Sequence, residues 1–451
     1  MDGFIRLSSA SDVITRKRQQ GTTVRYNILK ETGKLPIGGI SSSDLYDIAH
    51  AVTRYADQSV QCIPCGSQLS RFHLGFAATA TTAAFTYVCI PRLWSVVSGP
   101  FGSGGGNGLR VITDGKGAWV TIGNGGTNLY YTTNIGSGIW NPVTLFGTGG
   151  GRGIATDGTN WVIVGNASIY YSTTATLGTW ISVPTFGTGG GYGIATNGTN
   201  WVAVGAGAGG GSNIYYATTG ALGTWTPAVA FVNGAGSHVA TDGTNWVAVG
   251  GLSGFSSPAA CIYYATTGAL GTWIPVVGPF GTGTGTRIVT DGKGTWVAVG
   301  NGIGGDNVYY SKNNVVSVWN PVSSNPFGTG NGNDIATDGT RWVIVGNGAG
   351  GPNVYYTSDV AGTWTPVPGL FIAGGSSNGV TTDGRGTWVV VGASGGGPNI
   401  YYAINNDLNT WYPVANTYAY TIGAMNAVAT DGSKWVTVGI GGGDNMYISS
   451  C

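Results

Sequence analysis

An all-β architecture, an eight-bladed β-propeller of four-stranded blades, is predicted by three features of this 451-residue chain. Glycine supplies 84 residues while charged residues are only 8%, where about 25% is usual. Hydrophobic residues nevertheless reach 42% and 16 residues are Trp, too much apolar surface for a disordered chain, and glycine does not fall at every third position as collagen requires. Third, a TDG turn followed by Trp and a short apolar run recurs eight times, its Asp position (114, 157, 197 as Asn, 242, 291, 338, 383, 431) repeating every 40 to 49 residues. That period is the length of a four-stranded propeller blade.

Composition divides the chain into residues 1–91 and 92–451: only 7 glycines precede residue 92 and 77 follow it. The first part reads as a small mixed or helical N-terminal arm. Ser43 and Asp44 can cap a helix through Tyr55 whose apolar stripe carries Leu45, Ile48 and Val52, a face suited to docking on a partner. A shorter helix from Ser9 or Ser11 would present Arg16, Lys17 and Arg18 to an acidic protein surface. Three charges are too few for strong binding to a phosphate backbone, and 19 basic against 18 acidic residues create no global field, so no specific nucleic-acid partner is expected. The first twenty residues lack the apolar core of a signal peptide. The uncharged run 74–91 contains Gly75 and reads as strand, so no membrane span is expected.

Within each repeat four strand signals follow in fixed order, called a to d below. In the second unit GIAT from Gly153 is strand a, residues 161–165 strand b, SIYYS from Ser168 strand c and TWISV from Thr179 strand d. The Asp-Gly pair between a and b predicts a type I′ hairpin, with positive φ at both central residues. Glycine tracts such as 206–211 make the b to c loops, and FGTG-like runs at Phe146 or Phe280 lead from d into the next a. The Trp residues fall eight on strand b and eight on strand d, as sheets covered on both faces require. The paired Tyr residues of strand c point to opposite faces.

The last unit stops at Cys451 after strands a, b and c. Its missing strand d is supplied by LWSVV from Leu93, so an N-terminal strand closes the last blade and leaves no open blade edge. On that register Cys89 and Cys451 come within disulfide range. The other cysteines are Cys62, Cys65 and Cys261. The CxxC at Cys62 lacks the four ligands of a structural zinc site, and neither metal nor cofactor is expected.

The segment from strand c to strand d, IYYATTGALGTW or VYYTSDVAGTW, resembles the Asp-box (BNR) turn SxDxGxTW of sialidase-like propellers in degenerate form. Asp359 alone stands at the Asp position, Ala361 replaces Gly, and most copies keep only the terminal TW. The fuller unit, with TDG, WVAVG, IYY and GTW, is similar to glycine-rich propeller repeats in virion proteins of large DNA viruses and phages, and SSASDVITRKRQQ looks like the leader of such a protein. The resemblance implies a structural protein of a virion, as a minor capsid, penton, spike or tail component assembled in the host cell. Its partners would be other virion proteins, reached through the N-terminal arm, with the propeller presented for protein contacts or host attachment. The alternative is a carbohydrate-binding, lectin-like propeller that takes a host-surface glycan. A sialidase-like glycosidase remnant is the third possibility.

A sialidase-type site needs an arginine cluster, a Tyr nucleophile assisted by Glu, and an acid or base. The chain's single Glu, Glu31, precedes the repeats, and no enzymatic activity is expected. By register, Arg110, His238, Arg287 and Asp334 all lie four residues before the Asp of their turn, and Arg152 lies five before. Strand a lines the central channel of propellers, so these five side chains are expected to ring a channel mouth as an anion or glycan site. The TDG acids are read as turn residues that accept hydrogen bonds from their own backbone, not as calcium ligands.

Overall fold

The computed structural model describes residues 90–450, apart from the short stretches 98–99, 102–105, 147–148, 167, 188, 208–210, 229, 232–233, 253–259, 304–305, 372–373, 395–396, 415–422 and 442–444. Cys89, Cys451, the CxxC and the arm residues Arg16, Lys17, Arg18, Leu45, Ile48 and Val52 lie outside the described residues.

The second repeat illustrates the unit. Gly151–Thr156, Asn160–Gly165, Ser168–Thr173 and Ile181–Pro184 form an antiparallel meander, in which Thr156 faces Trp161, Trp161 faces Ser172 and Tyr171 faces Ile181. Strand b is apolar on both sides because it is buried on both sides. In Trp296–Asn301, for example, every residue through Gly300 is buried, and all strand-b tryptophans are 0 to 3% exposed. Strand d is only two to four residues long in each repeat, which blunts the outer sheet edge against further pairing.

Each strand a lies against strand a of the following repeat, from Asn107–Thr113 and Gly151–Thr156 onward, and Gly423–Thr430 lies against Asn107–Thr113. The first strands therefore enclose a common axis. Leu93–Val96 pairs with Met446–Ser450, setting Ser95 opposite Ile448. The residue after Trp94 thus takes the same register as the residue after Trp180, where Ile181 faces Tyr171. The strand expected to complete the last sheet does so.

Two expectations need correction. The tryptophans assigned to strand d precede it in most repeats, as Trp140 precedes Asn141–Val143 and Trp225 precedes Thr226–Ala228. They close the turn from strand c instead: Trp180 Nε1 donates to Leu177 O at 2.7 Å, Trp225 to Leu222 O at 2.8 Å and Trp273 to Leu270 O at 2.9 Å. An indole needs a partner for its one donor when buried, and in these repeats the carbonyl three residues back supplies it, while Trp364 Nε1 reaches Val360 O four back and Trp140 Nε1 is buried without one.

The a to b hairpin is also not a type I′ turn. Positive φ falls on the glycine alone, as at Gly243 (97°), and no Asp of a TDG turn is left-handed. Side chains hold the turn instead. Asp242 Oδ1 accepts from the amides of Thr244 at 2.9 Å and Asn245 at 2.6 Å, while Thr241 Oγ1 accepts from Gly243 N at 3.0 Å and donates to Asn245 O at 2.8 Å. The carboxylate satisfies local backbone donors in the manner of an Asx-turn, as expected of these acids.

A second motif repeats where strand d leads into the next strand a. A Phe packs edge-on against the first Tyr of strand c: Phe146 on Tyr170 at 4.8 Å, Phe280 on Tyr309 at 4.9 Å, Phe371 on Tyr401 at 5.1 Å between centroids. The glycine that ends each WVAVG run makes room for that ring. At Gly300 an added Cβ would stand 2.1 Å from Thr284 O and 2.9 Å from the Phe280 ring.

Candidate channel site

Strand a carries the same irregularity in every repeat. Its register with strand b shifts between Gly108 and Arg110, between Gly151 and Gly153, between Gly236 and His238, between Gly285 and Arg287, and between Gly332 and Asp334. The extra residue of this bulge lies five before the turn Asp. A bulge re-aims neighbouring side chains, and here two successive residues escape the buried face: within Asn107–Thr113, Gly108 and Val111 are buried while Leu109 and Arg110 between them are half-buried. Positions minus five and minus four are both half-buried in the repeats of Arg110, His238, Arg287 and Asp334, whereas in the repeat of Arg152 the next residue, Gly153, is buried. Arg110 stands at the middle of its strand and is half-buried, whereas Arg152 is second in its strand and exposed.

Position minus five differs between the two halves of the circle. In the later repeats it ties one strand a to the next: Thr286 Oγ1 donates to Gly332 O at 2.6 Å, Asn333 Nδ2 to Ser377 O at 3.0 Å, Asn378 Nδ2 to Met425 O at 3.0 Å and Asn426 Nδ2 to Gly108 O at 2.8 Å. In the earlier repeats Arg152, exposed, lies over the ring of Tyr192 at 4.7 Å.

Position minus four brings Arg110, His238, Arg287 and Asp334 together. Arg287 Nε lies 3.3 Å from Asp334 Oδ1, both side chains mostly buried, and Asp334 Oδ2 accepts from Val380 N at 3.1 Å. Arg110 Nη1 donates to Leu109 O at 2.8 Å. Burial and the facing Arg287 push the Arg110 guanidinium down to about 9, against the pull of Asp334. His238 is held well below the usual imidazole range, first by burial, then by Arg287 and Arg110, with a backbone hydrogen bond at Ile288 opposing. Its Nδ1 is buried without a partner. Groups from strands far apart in sequence act on one another because those strands line one axis. The cluster is cationic on balance, with a neutral imidazole at neutral pH. Arg152 stands apart from it, paired with Tyr192.

A depressed imidazole has a consequence for stability. As pH falls below about 6.5 the unfolded chain takes up a proton at His238 that the folded chain refuses, so stability is lost toward acid. Between pH 7 and 5 the wild type is expected to lose about 1–2 kcal/mol more than His238→Asn in urea unfolding. Parallel pH profiles for the two proteins would show that His238 titrates normally.

A cleft of about 320 Å³ lies among the a to b turns and is lined by Thr113, Asp114, Asp383, Arg385 and Asp431. Asp114 Oδ1 and Asp383 Oδ1 are occupied by amides of their own turns. Among the described residues no three His, Cys, Asp or Glu side chains converge as metal ligands, and no helix is long and apolar enough to cross a membrane.

No family model matches this sequence, and no curated protein does. Solved structures do. The computationally designed protein Ika8 is similar over 78% of this chain and 98% of its own, with TM-score 0.55 and 11% identity. The Dos1 propeller matches over 80% of this chain and 95% of its own, with TM-score 0.55 and 12% identity. The C-terminal WD40 domain of Sif2 matches over 81% and 99%, with TM-score 0.54 and 12% identity. At such identities the likeness speaks for the fold alone, and the fold is that of an all-β propeller.

Proposed function

We propose that this chain is a non-enzymatic interaction protein of a virion: an eight-bladed propeller anchored through residues 1–91 and presented for contacts with other virion proteins or for host attachment. The observation that carries the interaction reading is the closure of the circle by Leu93–Val96 on Met446–Ser450. Closure at strand d makes a ring that the chain enters at its outermost strand, and such a closed ring of sheets is a scaffold for contacts with other molecules. The virion assignment is supported by the likeness of the TDG, WVAVG and GTW repeat to virion propellers. The non-enzymatic assignment is supported by how the acids are used. The turn carboxylates serve their own backbone, and Asp334 serves Arg287 and the Val380 amide, which leaves them poorly placed as general acids.

Deletion of residues 1–89 is expected to leave the propeller folded but to lower its copy number in purified particles at least tenfold, read by quantitative mass spectrometry. Undiminished incorporation would end the anchoring idea. A glycan-binding propeller is the second reading, favoured by the exposed guanidinium of Arg152 stacked on Tyr192. A glycan array probed with the isolated propeller and with Arg152→Ala separates it from a purely structural role.

A further inference from the structure

The cluster at mid-strand holds two guanidiniums against one carboxylate, and that carboxylate is already engaged on both oxygens, by Arg287 Nε at 3.3 Å and by Val380 N at 3.1 Å. Arg110 gives one of its five N–H donors to Leu109 O, at 2.8 Å. His238 Nδ1 is buried without a partner. With Asp334 paired to Arg287, the half-buried Arg110 guanidinium has no carboxylate of its own, and guanidinium donors left spare stabilise an anion through charge-assisted hydrogen bonds. Arg110, His238 and Arg287 stand at the same register position on three strands that line one axis, and the Arg287 charge acts on Arg110, so a single small anion is the ligand that would meet both guanidiniums.

We propose that Arg110 and Arg287, with His238 beside them, form a binding site for a single tetrahedral oxyanion of phosphate or sulfate size inside the propeller channel. The anion neutralises the excess cation and offers His238 Nδ1 an acceptor, so the imidazole takes a proton from solvent as the ion enters. The groups that act on this imidazole are Arg110 and Arg287, together with the backbone of Ile288, and Asp334 is the acid of the same cluster. Binding therefore tightens as pH falls. The site is independent of the virion reading and stands or falls without it.

Isothermal titration of the full chain with sodium sulfate, against sodium chloride at equal ionic strength, tests it at pH 7.5 and 6.0. One saturable sulfate site per chain is expected, tighter at pH 6.0 than at 7.5, with that difference absent in His238→Asn. Arg110→Gln and Arg287→Gln each weaken it about tenfold or more. Lys312→Gln, at the exposed ion pair with Asp359, leaves it unchanged. Crystals of the unmodified chain soaked in selenate give a reading independent of how the variants fold, with an anomalous peak expected between Arg110 and Arg287. Absence of saturable sulfate binding, equal affinity in Arg110→Gln and Lys312→Gln, or selenate peaks only elsewhere would overturn the proposal.

Discussion

A chain beginning at Ser98 is expected to be at least about 4 kcal/mol less stable than one beginning at Ile90, in urea unfolding of the isolated propellers. The segment between these starts includes Leu93–Val96, whose pairing with Met446–Ser450 supplies the last strand of the final sheet. Trp94 and Val96 pack against the cluster of Met425, Trp435 and Tyr447, and Trp94 Nε1 donates to Pro91 O at 2.9 Å. Loss of the half-buried Trp94 and Val96 together with the buried Val97 costs about 4 kcal/mol or more. Truncation also removes the strand's ladder hydrogen bonds and bares the edge of Met446–Ser450, so the shorter chain is expected to aggregate as well. Equal stability of the two chains would mean that the N-terminal strand does not close the ring.

Gly300→Val is expected to cost about 3 kcal/mol or more, while Gly220→Ala changes stability by less than about 1 kcal/mol. At Gly300 the new Cβ meets backbone, with Thr284 O at 2.1 Å and Gly285 Cα at 2.9 Å, and the Phe280 ring at 2.9 Å. Backbone cannot step aside as a side chain can, so strand a and the Phe280–Tyr309 pair must both shift. At Gly220 nothing lies within 4 Å of an added Cβ. Thermal unfolding of both variants tests the point. A tolerated valine at Gly300 would show that the ends of the WVAVG runs are loosely packed.

These glycines explain much of the unusual composition, and their distribution makes the fold legible in the sequence. Period, tryptophan spacing and the missing last strand each reflect a local rule applied eight times, and local rules are what sequence displays. The TDG turn shows the limit. Asp-Gly announces a hairpin correctly, but which residue takes positive φ depends on whether the Asp carboxylate reaches the amides two and three residues ahead, as Asp242 does. The channel cluster was legible as a register coincidence of Arg110, His238, Arg287 and Asp334. The bulge beside it was not, because an extra residue in strand a shows only in its pairing with strand b. The signal available was glycine inside a strand, found at Gly108, Gly151, Gly236, Gly285 and Gly332 just before the shift. The inter-repeat ties of Asn333, Asn378 and Asn426 were missed for the same reason, since an Asn beside a turn reads as a loop residue until the bulge aims it at the neighbouring strand.

Everything inferred about the axis depends on a ring closed through its outermost strand. An electron cryo-microscopy map of the isolated propeller tests this most directly. The account predicts eight radial sheets around one channel, with Leu93–Val96 hydrogen-bonded to Met446–Ser450 and the Arg110 and Arg287 side chains pointing into the lumen. A different number of sheets, or a last sheet without its N-terminal strand, would contradict it.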